Sequence, residues 1–187
     1  MEQRFVVDFY NNNSKSFNDT RYAPWPCVKE FIDKIKAYSV VSDIGCGNGK
    51  NQYRKDLFYV SCDNSSAMCA FTNADLADCT NLPYKNQSFD AVICIAVIHH
   101  LATEARRITA LKEIKRVMKQ TGNALISVWG AQPKFGSGTQ IIGWNKKSQQ
   151  RFIHFFTLKE IDNLCMQVFE NYVIKEDFNN FFIYVNS

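Results

Sequence analysis

Hydrophobic positions along the chain fall into runs of two kinds, and the way these runs alternate predicts an α/β layer architecture. Runs at 39–44, 58–62, 91–98 and 124–129 are apolar without polar alternation, as expected of parallel strands covered by helices on both faces. A further strand is expected within 72–77, at an edge of the sheet. Between these runs the spacing turns helical. Pro26 opens a helix with Cys27, Val28, Phe31, Ile32 and Ile35 on one side and Lys29, Lys34 and Lys36 on the other. Thr103 caps a second helix, with Ile108, Leu111, Ile114, Val117 and Met118 inward and Gly122 at its end. The capping box Thr157-Leu-Lys-Glu160 starts a third, with Ile161, Leu164, Cys165 and Val168 inward. Runs at 172–175 and 181–185, around the turn 177–180, predict an antiparallel hairpin. The expected fold is thus a mostly parallel, doubly wound sheet with a reversed C-terminal strand. The polar stretch 10–22 predicts no core element and is expected to act as an arm, within residues 1–25, over the active site.

Length and composition add bounds. With 187 residues, 46% hydrophobic and 14% aromatic, the chain can form one domain over 1–187 with its own core. No stretch approaches the roughly 20 apolar residues that span a bilayer, and Met1-Glu2-Gln3-Arg4 opens no signal-peptide pattern. A soluble, cytoplasmic protein with no membrane partner is expected, with the nucleus as an additional location. Seven cysteines, an odd number without a C-x-x-C pair, fit neither a disulfide framework nor a metal site, and they read as small buried hydrophobes. A net charge of +4 and a pI of 8.6 stay below the roughly 9 that marks a strong nucleic-acid footprint, so charge alone leaves RNA binding a minority reading.

Candidate chemistry begins directly after the first strand, at Asp43-Ile-Gly45-Cys46-Gly47-Asn-Gly49-Lys50. A glycine-rich turn there lets backbone approach a ligand closely, in the crevice where such folds bind. The pattern is G-x-G-x-G, which misses both the dinucleotide fingerprint and the phosphate loop. An acidic residue two positions before the first glycine suits a cationic ligand, which points to the ammonium and sulfonium of S-adenosylmethionine. Asp63, 20 residues after Asp43 with Asn64 beside it, can accept from both ribose hydroxyls of a nucleoside. Asp78 can accept from an adenine amino group while Cys79 packs near the ring, and Ala96, after the fourth strand, is expected beside adenosine and methionine.

These motifs, with Thr20-Arg-Tyr-Ala-Pro-Trp-Pro26, Asn81-Leu-Pro-Tyr-Lys-Asn-Gln-Ser-Phe-Asp90, Ile95-Ala-Val-Ile-His-His100, Arg106-Arg107 and Arg151-Phe-Ile-His154, resemble the eukaryotic tRNA wobble-uridine carboxymethyl methyltransferases. That family includes a stand-alone fungal enzyme and a methyltransferase domain fused to an AlkB-like oxygenase in animals. T-R-Y-x-P-W-P and I-A-V-x-H-H are the narrow part of the match, which runs from Tyr10 nearly to the C-terminus. The resemblance implies a Rossmann-like class I methyltransferase that transfers a methyl group from S-adenosylmethionine to the carboxylate of 5-carboxymethyluridine in tRNA. It also implies a heterodimer with a small zinc-binding activator protein. Leu101-Ala102 stands where Trp-Ser is common, and the basic insertion of fungal relatives is nearly absent, which leaves the contacts to the tRNA body open.

A carboxylate with a pKa near ~3.5 is already ionised at neutral pH, so the transfer needs positioning and no general base. Arg21 is the leading candidate to grip it, with Tyr22 beside it. Of the two histidines after the fourth strand, His100 is taken to face the pocket. Arg106 is assigned to the catalytic set and Arg107 to substrate contact, although neighbours on a helix stand about 100° apart and rarely reach one ligand. Arg151 and His154 can touch the nucleotide or a phosphate. Two other readings stand beside this one. A small-molecule or lipid methyltransferase would carry an apolar lid in place of the Arg21 arm, and a non-catalytic member would bind tRNA or the activator without turnover.

Overall fold

The computed structural model describes residues 1–144 and 146–186. Its main sheet contains β1 (Val40–Ile44), β2 (Phe58–Asp63), β3 (Asp75–Leu76), β4 (Phe89–Ile95), β5 (Met118–Trp129), β8 (Tyr172–Asp177) and β9 (Asn180–Asn186), in the order β3-β2-β1-β4-β5-β9-β8. The pairs β3–β2, β2–β1, β1–β4 and β4–β5 are parallel, whereas β9 runs antiparallel to β5 and pairs with β8 as a hairpin. This is the doubly wound, mostly parallel sheet with a reversed C-terminal strand that the hydrophobic pattern predicts. The helices are α1 (Asp8–Asn18), α2 (Pro26–Asp33), α3 (Ser66–Thr72), α4 (Glu104–Val117) and α5 (Leu158–Met166).

The unbroken apolar runs have a direct cause in the packing. On β4, Val92 and Cys94 join the core beneath α4 and α5, while Ala91, Ile93 and Ile95 join the core beneath α2, so successive side chains are buried on opposite faces. The predicted caps form: the Thr103 hydroxyl accepts from the Arg106 N–H at 3.3 Å, and Thr157 and Glu160 make the reciprocal capping box. Helix α4 stops at Val117, earlier than Gly122 suggests. Met118 is already extended and opens β5, so Gly122 lies inside a strand, where a Cβ would come within 3.0 Å of the Asp90 carbonyl oxygen.

Two regions depart from the expected outline. The stretch read as a polar arm is mostly helix, because a π turn at Gln3–Val7 runs on into α1 and buries Val6, Phe9 and Asn13. The second region, between β5 and α5, forms an antiparallel hairpin of β6 (Gly138–Trp144) and β7 (Lys146–Phe155). This hairpin packs against α1 and the turn that follows β4. All seven cysteines are free and only Cys27 is more than marginally accessible, in keeping with their reading as small hydrophobes. Among the described residues no helix is long and apolar enough to cross a membrane, and no cluster of metal-binding side chains occurs.

Candidate active site

The strand order reverses between β1 and β4, and the crevice at their carboxyl ends is where doubly wound sheets bind ligands. Two backbone features shape it. The N–H groups of Gly45 and Cys46 both donate to the Cys62 carbonyl, at 2.8 and 3.0 Å, which folds the turn back over β2. Gly45 has a φ of +67°, and a Cβ there would stand 2.3 Å from Val97 Cγ2. Ala96 leaves β4 with a φ of +61°, its N–H shared between the carbonyl and hydroxyl of Ser127 at 3.1 and 3.0 Å. The chain then turns through Ile98–His100, which carries both histidines into the crevice.

The resulting cleft has a volume of about 140 Å³. Of the residues proposed from sequence to hold a cofactor, Gly45, Cys46, Gly47, Asp63, Asn64, Cys79 and Ala96 line it. Asp63 lies at the end of β2. Its Oδ2 accepts from the Gly47 N–H and its Oδ1 from the Ser65 N–H, both at 2.9 Å. Burial pushes its pKa up, against the hydrogen bonds from Ser65, Gly47 and Asn64. Three other proposed residues do not line the cleft. Gly49 abuts Thr72 instead. Asp43 is 1% exposed behind the turn, where its Oδ2 accepts from Gln52 at 3.1 Å and its Oδ1 has no partner. Burial raises its pKa to about 7, the Gln52 hydrogen bond opposing and the Asp63 charge adding to the shift. Asp78 turns to Thr80 and to Arg106 Nη2 at 2.6 Å, which occupies the carboxylate expected to face adenine.

The other wall is cationic and aromatic. Arg21 and Arg151 both line the cleft, with their guanidinium carbons 5.4 and 5.6 Å from the Trp144 ring centroid. Arg21 also lies over Phe17 at 4.6 Å and Arg151 over Trp129 at 4.7 Å. Neither has a carboxylate partner among the described residues. Burial and then the Arg151 charge depress the Arg21 pKa, the mark of two like charges facing one space. Arg151 is 6% exposed, and its Nε has no hydrogen-bond partner.

His100 also lines the cleft, but both ring nitrogens are engaged, Nδ1 with the Phe152 carbonyl and Nε2 with the Tyr10 hydroxyl, each at 2.8 Å. Burial and then the Arg151 charge lower its pKa to about 3, so it is neutral at physiological pH. The remaining candidates lie outside the cleft. Arg106 is held by Glu2, at 3.0 Å, and by Asp78, so its charge is spent at the rim. Arg107 points into the core, over Phe156, with Nε donating to the Leu101 carbonyl at 3.0 Å. Tyr22 is 83% exposed and its hydroxyl donates to the Asp19 carbonyl. His154 faces away, toward Thr139 and Glu160.

Sequence reasoning passed over Tyr10, Lys50, Asn51, His99 and the tryptophans 129 and 144, although all but Trp144 line the cleft. A signal existed for the first of them. Val6, Phe9, Asn13 and Phe17 recur at intervals of three, four and four, a helical stripe that places α1 and brings Tyr10 with it.

The donor set fits S-adenosylmethionine. Gly47 has no side chain, and only the Phe17 ring, 3.3 Å away, would meet a Cβ there, so backbone forms that part of the wall. Asp63 keeps lone pairs for ribose hydroxyls, and Asn51, 4% exposed, lines the cleft with an unpartnered Oδ1. Lys50, also on the cleft wall, would supply a cation for the carboxylate of the methionine moiety.

The chain is similar in sequence and in fold to known methyltransferases. A methyltransferase-domain family model matches residues 42–126. A protein of Encephalitozoon cuniculi, provisionally named a methyltransferase, is 34% identical over 186 residues, covering 88% of this chain and 86% of its own length. The mouse tRNA (carboxymethyluridine(34)-5-O)-methyltransferase ALKBH8 is 40% identical over 141 residues, which cover 72% of this chain and 21% of the relative. The chain thus spans about a fifth of that longer relative. Among solved structures, a SAM-dependent methyltransferase of Methanosarcina mazei superposes with a TM-score of 0.74 at 16% identity, covering 88% of this chain and 98% of the other. A chain of the Haloferax volcanii complex between the Trm112 activator and a methyltransferase superposes with a TM-score of 0.68 at 13% identity, covering 97% and 96%.

Proposed function

The chain belongs to the family of S-adenosylmethionine-dependent methyltransferases that contains the tRNA carboxymethyluridine enzymes, and on that premise we propose that it methylates the carboxylate of 5-carboxymethyluridine at the tRNA wobble position, forming the methyl ester. The observation that carries the substrate class is the pair Arg21 and Arg151. Two guanidiniums share one half-buried space, flank one indole and have no carboxylate of their own among the described residues. Such a pair is built for an incoming anion.

When bound, S-adenosylmethionine supplies a methyl group on a sulfonium that departs as a neutral thioether. The rest of the work is positional. A carboxylate is ionised at neutral pH, and His100, neutral and bonded at both nitrogens, is not free to act as a base, as the reaction allows. Arg21 and Arg151 hold the carboxylate and orient one oxygen toward the methyl group. Orientation of this kind lowers a barrier by up to roughly 7–11 kcal/mol in favourable cases. The rings of Trp129 and Trp144, 4.7 and 5.6 Å from the Arg151 guanidinium, give it apolar surroundings that strengthen its attraction for an anion.

The proposed partner is a small zinc-binding methyltransferase activator. Its support is the likeness in fold to the methyltransferase that assembles with the Trm112 activator, together with the exposed two-residue edge strand β3. Cytoplasmic action belongs to the same proposal. The test is mass spectrometry of wobble nucleosides from tRNA bearing 5-carboxymethyluridine, incubated with the protein, S-adenosylmethionine and the activator. The expected result is a mass gain of one methylene on the wobble nucleoside. Methylation elsewhere in the tRNA, or of small molecules alone, would overturn the proposal.

A further inference from the structure

We infer that Tyr10 is the positioning residue of the anion site, its hydroxyl bridging His100 and Arg151 so that the Arg151 guanidinium is aimed at the substrate; this rests on the reading of the cleft given above. Hydrogen-bond chemistry fixes the direction of every link. The Phe152 carbonyl can only accept, so the proton of neutral His100 sits on Nδ1, 2.8 Å away. That leaves Nε2 as an acceptor, and the Tyr10 hydroxyl, 2.8 Å from it, is the donor. The oxygen of Tyr10 then has its lone pairs turned to Arg151, whose Nη1 donates at 3.4 Å. Arginine cannot accept and a carbonyl cannot donate, so no reversed arrangement exists. Burial raises the Tyr10 pKa, which keeps the hydroxyl in its donor form.

The 3.4 Å link is long, so it steers Arg151 without consuming it. Nε of Arg151 remains buried and unpartnered, so the guanidinium keeps unused donor capacity. Arg151 and Phe152 lie on β7, His100 follows β4 and Tyr10 lies on α1, so three separate parts of the fold meet at one oxygen. The position of α1 is itself set by Asn11, whose Oδ1 accepts from the Ser65 hydroxyl at 2.7 Å and the Ala67 N–H at 3.2 Å at the start of α3. Because α3 directly follows the Asp63 strand, seating α1 on the cofactor side also completes the substrate side.

The experiment is a double-mutant cycle with Tyr10→Phe, Arg151→Ala and the double variant, assayed with tRNA bearing 5-carboxymethyluridine, S-adenosylmethionine and the activator. Loss of one hydrogen bond to a charged group predicts that Tyr10→Phe raises KM for tRNA about 10-fold. S-adenosylhomocysteine affinity stays near wild type, because the phenyl ring keeps its edge contacts with Phe9, Phe17 and His100, while the melting temperature falls modestly as the buried Nε2 of His100 loses its donor. The double variant matches Arg151→Ala, because Tyr10 acts through Arg151. An unchanged KM, a parallel loss of cofactor affinity or additive losses in the cycle would overturn the inference. His100→Leu, which removes the acceptor that orients the hydroxyl, gives the same KM-selective loss and reports separately should Tyr10→Phe fold poorly. If the wild type methylates no tRNA, it is the proposed function that fails. The role of Tyr10 is then read from the Kd of 5-carboxymethyluridine by tryptophan fluorescence, where equal values for wild type and Tyr10→Phe overturn it.

Discussion

Asp63 shows how one side chain can hold the fold together and still face the cleft proposed for the cofactor. Its two oxygens cap the N–H groups of Gly47 and Ser65, and the same carboxylate lines the cleft. Asp63→Ala therefore removes the acceptor proposed for the ribose and also strands two backbone donors. Each lost charge-assisted bond is worth about 1.5–3 kcal/mol, so calorimetric titration should show S-adenosylhomocysteine binding at least ~10-fold weaker, and the melting temperature should fall too. Asp63→Asn, which retains one acceptor, is expected between the two. Binding unchanged in Asp63→Ala would mean that the ribose is held elsewhere. The position of this aspartate was legible in the sequence, as a strand-end carboxylate 20 residues after Asp43. Its structural duty was not, because both donors come from turns whose geometry depends on tertiary contacts.

At the scale of elements, β3 is one of the two edges of the sheet, the other being β8. β3 is two residues long, pairs with β2 alone among the described strands, and presents Leu76 at 65% exposure, with Phe71 of the preceding helix at 43%. An exposed edge can take a strand from another chain, and Leu76 offers it an apolar contact beside the charge of Asp75. Leu76→Lys should reduce co-elution with the activator in size-exclusion chromatography while leaving the melting temperature of the isolated chain unchanged. Undisturbed complex formation would place the activator on another surface. The edge position was legible once the alternation of strands and helices gave the class of sheet, in which the third strand normally lies at an edge. The β6–β7 hairpin was not foreseen, because its polar residues Thr139, Gln140, Gln149 and Gln150 break the apolar signal.

For the molecule as a whole, two buried groups set opposing pH slopes. Asp43 titrates near 7 in the folded chain and near 3.9 unfolded, so the folded state holds the extra proton between these values. Its contribution to stability falls as pH rises from about 4 to 7, and the deficit persists above 7. His100 does the reverse. It is neutral down to about 3 when folded, so stability is lost as pH falls from about 6.5 toward 3. Asp43→Asn abolishes the first slope alone. Relative to wild type it should be more stable at pH 8, by an amount on the order of a few kcal/mol, and nearly equal at pH 4. Thermal melts at the two values check this, and a constant difference between the variants would show that Asp43 is ionised throughout.

The sequence by itself determined the succession of strands and helices, the glycine turn after the first strand and the carboxylates near strand ends, since these depend on residues close together in the chain and on the burial of side chains on both faces of a sheet. It also narrowed the anion-binding candidates to a few arginines. Only the tertiary structure decided among them. Arg106 and Arg107 are adjacent to the histidine motif yet are spent on Asp78 and Glu2 and on the Leu101 carbonyl, while Arg151, 51 positions after His100, is brought to it through Tyr10. The reason is geometric. Whether an arginine faces a ligand depends on which carboxylates lie within reach of it, and those partners are 28 and 104 residues away from Arg106 along the chain.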